Sequence, residues 1–385
     1  MKLNVFGKDI FSKNVSTHIE DIFMNIKPRS FATNYIENFY NTNVKEKVSK
    51  DSLNLSLLTD THAKALASTS YYGYNGLRHI YETNAAGENL PIDLNVHLGD
   101  LIDGSDRPEI SKRLLKKATE NYQSSGKPFY IAEGNHDEND KFDEHKFIKS
   151  VSFDRDDYFN LVTKQVNKQP EIQRLSHVSK VSWFDKDDIR VIFINTSDIP
   201  YIVYGNNKKY DFKKVRGVRE QQIQDLIKIL ENTVDKRVIV MGHANIVSPS
   251  GKNALNFNGD LLQKIFEEFN NKQQGQLKNN LLGDFGVSTA YDFSNTGIST
   301  ISTYICGHMH YEKHYQVSGI NHIILNCSAL MGKKRGLTTD YNRKWDRKIN
   351  EISEFCGYFI NVDSKKMILQ IFGYGAATRY VNFNL

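Results

Sequence analysis

Cysteine is scarce in this chain of 385 residues: there are three, Cys306, Cys327 and Cys356. Three cannot build a disulfide framework. All sit in apolar, strand-like surroundings and read as small buried hydrophobes, not as metal or redox ligands. Long apolar runs are missing too, and nothing approaches the roughly 20 apolar residues of a membrane-spanning helix. The opening stretch MKLNVFGKDIFSKNVSTHIEDIF has neither the apolar core nor the cleavage site of a signal peptide. The expectation is a reduced, cytoplasmic protein away from membranes, although one released by lysis would look the same. Charge of one sign is also lacking. The net charge is +5, and the short clusters KRLLKKA and GKKRG read as solvated faces. Nucleic acid therefore enters only as a possible substrate.

What is present is alternation. Candidate strands are LNLSLLT (53–59), IDLNVHL (92–98), PFYIAE (128–133), IRVIFIN (189–195), KRVIVM (236–241), ISTYIC (301–306) and NHIILNC (321–327). Such short apolar runs suit strands covered on both faces. Between them lie helical stripes, among them Ile223, Leu226, Ile227 and Leu230, and Ile110, Leu114, Leu115 and Ala118. Pro108 stands where the second of these helices can begin. The alternation predicts an α/β layered fold. CGYFINVDSKKMILQIFGYG reads as a hairpin, expected to extend the sheet formed by the strands after His310. Residues 1–50 carry no usable motif and are read as an N-terminal extension, with 51–385 as one catalytic domain that includes the hairpin. The spacers 138–188 and 246–298 are expected to form loops and helices around the site entrance.

Five strand ends carry chemistry. Strand 53–59 runs into Asp60 and His62, and strand 92–98 into Asp100 and Asp103. Strand 128–133 runs into Asn135, His136 and Asp137, strand 236–241 into His243, and strand 301–306 into His308 and His310. A glycine precedes four of these sets, and glycine lets backbone lie close to a ligand without a Cβ clash. In open α/β sheets, function gathers at the carboxyl ends of strands. Asp60, His62, Asp100, Asn135, His243, His308 and His310 exceed what one tetrahedral zinc needs. They suit two divalent ions sharing a carboxylate. Mixed O and N donors without thiolate suit Mn, Fe, Zn, Ni or Co. In an extended chain residues i and i+2 face the same side, so His308 and His310 would each reach a different ion.

Two ions bring more positive charge than Asp60 and Asp100 cancel, which favours an anionic phosphate ester. A hydroxide held by the metal pair would attack phosphorus in line. His136, next to a ligand, would assist the leaving group, oriented by Asp103 or Asp137.

In this order, D-x-H, G-D, G-N-H-D, G-H and G-H-x-H resemble the calcineurin-like metallophosphoesterases, over about Ser52 to His310. The resemblance implies a four-layer α/β/β/α sandwich. It implies one metal held by Asp60, His62, Asp100 and His310, and a second by Asp100, Asn135, His243 and His308. His136 would act on the phosphate or leaving group, paired with Asp103. The metals would be Mn2+, Fe2+/3+, Zn2+ or Ni2+. There is one departure: Gly104 follows Asp103 where the protein-phosphatase branch has a phosphate-binding Arg, and Arg107 comes only later. The pattern is therefore closer to the bacterial phosphodiesterase branch.

The remaining polar residues read more plainly. His97 is expected to be structural, Asp137 to cap the following segment, and His314 and His322 to lie just beyond the site. Asn195 and Asp198 are read as cavity wall, and the basic stretch 331–345 as an exposed or substrate loop. Two alternatives stay open. One is a catalytically idle binding protein on this fold, which loss of a ligand or of His136 would favour. The other is an oligomeric phage or bacterial assembly component, such as a virion-associated tail enzyme cutting teichoic acid or glycerophosphodiesters. The Asn- and Lys-rich composition and the extension 1–50 suggest it.

Overall fold

A computed structural model describes residues 26–49, 51–64, 75–140, 152–154, 156–330 and 347–385. The first unit is α1 (Ser30–Phe39) followed by two β–α steps and a third strand: β1 (Leu53–Leu58), α2 (Gly76–Gly87), β2 (Leu94–His97), α3 (Pro108–Ser124) and β3 (Phe129–Ile131). Pro108 opens α3, where its missing N–H costs no helical bond. The three strands pair in parallel. β1 is buried along its whole length, Asn54 and Ser56 included, as a strand covered on both faces must be.

The second unit starts with the antiparallel pair β4 (Val181–Lys186) and β5 (Ile189–Ile194). The two-residue strands β6 (Val203–Tyr204) and β7 (Asn207–Lys208) follow, then α4 (Glu220–Glu231), β8 (Arg237–Met241) and α5 (Gly259–Asn270). A small hairpin, β9 (Gln274–Lys278) with β10 (Ser288–Asp292), precedes β11 (Thr300–Cys306), β12 (Lys313–Val317) and β13 (Ile320–Ile324). Their sheet runs β12-β13-β11-β8-β5-β4.

The chain closes with β14 (Cys356–Asp363), β15 (Ile368–Gly375) and β16 (Val381–Asn384). Here the structure corrects an expectation. The hairpin β14–β15 does not extend the sheet of β12 and β13. It crosses to the other sheet and pairs antiparallel with β1, giving the order β16-β15-β14-β1-β2-β3. β14 is buried at all eight positions, which fits an interior place beside β1 and would waste apolar area at an edge. The spacers also hold strands not expected from sequence. β4 lies in 138–188, and β9–β10, whose faces are mostly exposed and polar, lie in 246–298.

Four layers result. Leu55, Val96 and Tyr130 of the first sheet pack in one core with Val191, Met241 and Ile305 of the second. Tyr130 stacks on Phe193 across the interface at 3.8 Å. α4 and α5 cover the outer face of the second sheet through Ile223, Leu226, Leu262 and Phe266. On the first sheet's outer side, α2 and α3 add Ile80 and Leu115, and α1 lays Ala32, Ile36 and Phe39 against Phe359, Phe372 and Tyr374. The fold is thus the expected α/β sandwich. The three cysteines are free and buried, as expected. Among the described residues no helix is long and apolar enough to cross a membrane.

Candidate metal centre

The carboxyl ends of β1, β2, β3, β8 and β11 meet at one rim of the sandwich. Asp60, His62, Asp100, His308 and His310 all have left-handed backbone, with φ between 44° and 69°. For non-glycine residues this conformation costs on the order of 1–3 kcal/mol each and persists where the surroundings enforce it. Here the enforcement is visible. His62 N donates to Asp100 O and Asp60 N to Gly99 O, so the first two strand ends are laced together. The expected glycines serve close approach: a Cβ on Gly134 would stand 2.1 Å from Asp100 N and 2.2 Å from its Oδ1.

Three groups of potential donors emerge, one of them His62, Asp103 and His136, and the other two hold the expected His and Asp ligands. Asp60, His62, Asp100 and His310 form the first, and Asp100, His243 and His308 the second. In the first, His62 Nε2 lies 2.9 Å from His310 Nε2, which is 3.2 Å from Asp60 Oδ1. Asp100 Oδ2 is 3.6 Å from His62 Nε2 and 3.3 Å from His243 Nε2, so one oxygen faces both groups. In the second, His308 Nδ1 is 3.3 Å and Asn135 Oδ1 3.0 Å from His243 Nε2. Bonds of about 2.0–2.2 Å to one ion place adjacent donors roughly 3 Å apart, and more at wider angles. The donor spacing and the hard-to-borderline N/O chemistry therefore fit two divalent ions. His308 and His310 do diverge to different groups, but from left-handed turns, not from the extended chain the i, i+2 reading assumed.

The donors are oriented by hydrogen-bonded partners. Asp60 Oδ2 accepts from Thr59 Oγ1 and His308 N, turning Oδ1 inward. Asp100 Oδ1 accepts from His136 N. His243 Nδ1 is 2.8 Å from Leu98 O, which fixes the tautomer that presents Nε2. Among the described residues Asp137 caps no helix. Its carboxylate accepts from the main-chain N–H groups of Asp100, Ile102 and Gly134, tying the second and third strand ends together. His97 is structural, as expected, contacting Thr61 Oγ1 and Gly99 N. Burial opposes charge on His243, yet neighbouring Asp100 holds its pKa up to about 9. Burial takes His62 down to about 4. Asp60 stays well below the usual carboxylate range: burial works against this, but His310 and His62 outweigh it.

His136 lines the same recess, with Nε2 4.0 Å from Asp100 Oδ2. Its Nδ1 is 2.7 Å from the main-chain O of Asp103, so this contact with Asp103 is through backbone. The Asp103 carboxylate pairs with Lys64 at 3.0 Å and approaches His62 Nδ1 at 3.9 Å.

A family model for calcineurin-like phosphoesterases matches residues 54–312, which contain every donor named above. The chain belongs to the calcineurin-like phosphoesterase family. No curated protein matches the sequence. Among solved structures, a dimetal phosphatase from Danio rerio is similar at 13% identity and a TM-score of 0.57, covering 86% of this chain and 98% of its own. Purple acid phosphatase PPD1 from yellow lupin seeds is 14% identical over 86% of this chain and 54% of its own, with a TM-score of 0.47. At these identities the likeness is one of fold.

In this phosphoesterase the two later histidines serve the second sheet. His322 contacts Gln263 and stacks on Tyr315, and His314 contacts Asn321 and packs on Phe383. Neither joins the donor groups. Asp198 does line a cavity, and Asn195 donates to Glu133 on that side. The basic stretch 331–345 lies outside the described residues, apart from which one functional candidate was missed. Arg216 Nη1 is 2.5 Å from His308 Nε2, at the rim of the centre. Arg216 sits between motifs, and the bridges of Gly217 to Ser197 and Phe257, with Arg216's own main-chain bonds to Asn256 and Phe257, carry it there. No spacing rule points to it.

Proposed function

We propose that this phosphoesterase is a binuclear-metal hydrolase of phosphodiesters. Asp60, His62, Asp100 and His310 would hold one ion, and Asp100, Asn135, His243 and His308 the other. The observation that carries the reading is the Asp100 Oδ2 oxygen, which faces both donor groups. When bound, two divalent ions supply a positive field and an acidified water. The protein's own residues supply the rest. His136 keeps its Nδ1–H on the Asp103 carbonyl, so a second proton, on Nε2, is the one it gives to the departing alkoxide. Arg216 brings a guanidinium for a phosphate oxygen.

The diester preference rests on how little free cationic charge the described residues place at the centre: Arg216 stands beside His308, and Lys64 is paired with Asp103. Gly104 has φ 71°, and a Cβ there would stand 2.5 Å from His136 O. A side chain after Asp103 is thus excluded, and with it the second phosphate-binding Arg. One guanidinium suits a singly charged diester better than a dianionic monoester. The test is hydrolysis of bis-p-nitrophenyl phosphate against p-nitrophenyl phosphate with added Mn2+, beside metal analysis. Faster diester turnover with two metals per chain is expected. Faster monoester turnover, or a single metal, would overturn the reading.

A further inference from the structure

A cavity of about 370 Å³ lies beside the metal centre. Glu133 and Glu138, which bracket the Gly134–Asp137 turn, line it. The segment after β7 closes it with Phe212, and the same segment offers Lys213 O to Asn135. The cavity is nonetheless unlike the centre. Among its described lining residues, Glu133, Glu138, Asp156 and Asp198 are four carboxylates against two cations, Lys180 and Arg219.

Both cations are committed. Arg219 pairs with Asp198 at 2.5 Å, and Lys180 with Glu133 at 3.6 Å. Nearby Lys208 pairs with Asp140 at 2.5 Å. Glu138 is 8% exposed, and its Oε2 has no hydrogen-bond partner. Burial, then the charge of Glu133 and a side-chain hydrogen bond with it, push its carboxyl well above the usual range, against the opposing charge of Lys208. Ser197, 6% exposed, and Tyr201 also line the cavity, and Ser197 Oγ and Tyr201 Oη are likewise buried without partners. A buried polar atom left unpaired costs stability, so these three oxygens leave hydrogen-bond capacity unmet: Glu138 Oε2 can accept, and the two hydroxyls can accept as well as donate. Phe159, Tyr201 and Phe212 add ring surface, and the Lys208 ammonium already rests 3.9 Å from the centre of the Phe212 ring.

We propose that this cavity binds a small organic ammonium ion, whose N–H groups and positive charge meet Glu138, Ser197 and Tyr201. An inorganic anion is disfavoured by the surplus of carboxylates, and a purely apolar ligand by the unpaired oxygens. The site is separate from the phosphoesterase reading. Binding is measured as heat and not as turnover, so either can fail alone.

The test is isothermal titration of the full chain, loaded with Mn2+, with 1,4-diaminobutane and with 2-aminoethanol. Saturable binding of at least one amine at one per chain is expected, weakened about tenfold or more in Glu138→Gln. Tetramethylammonium, which lacks N–H donors, should bind more weakly. If Glu138→Gln does not fold, Ser197→Ala and Tyr201→Phe carry the test, each expected to weaken binding severalfold. No saturable heat from either amine, equal heat from KCl at matched ionic strength, or binding unchanged in all folded variants would overturn the proposal.

Discussion

Single side chains divide the proposed chemistry so that kinetics can separate them. Arg216 touches a proposed ligand only through the outer nitrogen of His308. Its loss should leave the metals in place while weakening transition-state binding. Arg216→Ala is expected to lower kcat/KM for the diester by about 10–100-fold, the value of a charge-assisted hydrogen bond, with metal content unchanged. A change under twofold would remove Arg216 from the mechanism. His136→Ala should lower kcat by about 10²–10⁴-fold, again with both metals retained. Asp100→Asn should differ from both, because one oxygen serves two donor groups. Metal analysis should show fewer than two ions per chain and activity near background. Protons add a further check. Without metal, Asp100 keeps His243 charged up to about pH 9, so a metal ion must displace that proton. Apparent metal affinity, measured by competition with a chelator, should climb as pH rises from 6.5 towards 9. A flat profile would argue against His243 as a ligand.

The strand ends were the legible part of the sequence, and the reason is mechanical. A buried parallel strand must be an apolar run, and a polar residue straight after it stands at the sheet's carboxyl edge. Reading Asp60, Asp100, Asn135, His243 and His308 therefore needed only local pattern. The hairpin β14–β15 was recognisable as a hairpin for the same reason, but its partner was not. Local apolarity says that a strand is interior and does not say which sheet holds it. β9 and β10 were missed because their exposed faces carry no apolar signal. The glycines were legible as turn signals, yet their role is clearance. Gly307 shows it most sharply: a Cβ there would lie 2.1 Å from Thr59 Oγ1 and 2.3 Å from Asp60 Oδ2. Both atoms belong to the β1 end that orients Asp60, so the β11 and β1 ends cannot both keep their positions. Gly307→Ala is expected to fold, since the clash is confined to the rim, but to bind metal at least tenfold more weakly by chelator competition. Unchanged affinity would mean the rim yields without moving Asp60.

At the scale of the whole molecule, the segment 29–48 before β1 is bound into the sandwich by charge as well as by apolar contact. Arg29 donates to Glu82 on α2 and to Glu354 just before β14. Glu354 is fully buried and also meets His79 and Asn75. His79 in turn reaches Ser328, whose N–H bonds Thr59 O beside the metal centre. This cluster links three distant parts of the chain, and no single motif foretold it, because its members are separated by up to 325 positions. Its energetics depend on charge. Burial alone would raise the Glu354 carboxyl, but His79 and Arg29 prevail and hold it far below the usual range. A carboxyl depressed in the folded state contributes stability that is complete above its unfolded pKa of about 4.3. That contribution is lost as pH falls from there towards the folded value. Breaking such a buried pair costs on the order of 3–5 kcal/mol at neutral pH. Glu354→Gln should therefore unfold at lower denaturant than the parent at pH 7, and the gap should narrow steadily between pH 5 and pH 3. Denaturation midpoints from circular dichroism at pH 7, 5, 4 and 3, in chelator to remove metal effects, would show it. Parallel curves for the two proteins would mean that Glu354 carries no charge-dependent stability, and that the N-terminal helix is held by its apolar face alone.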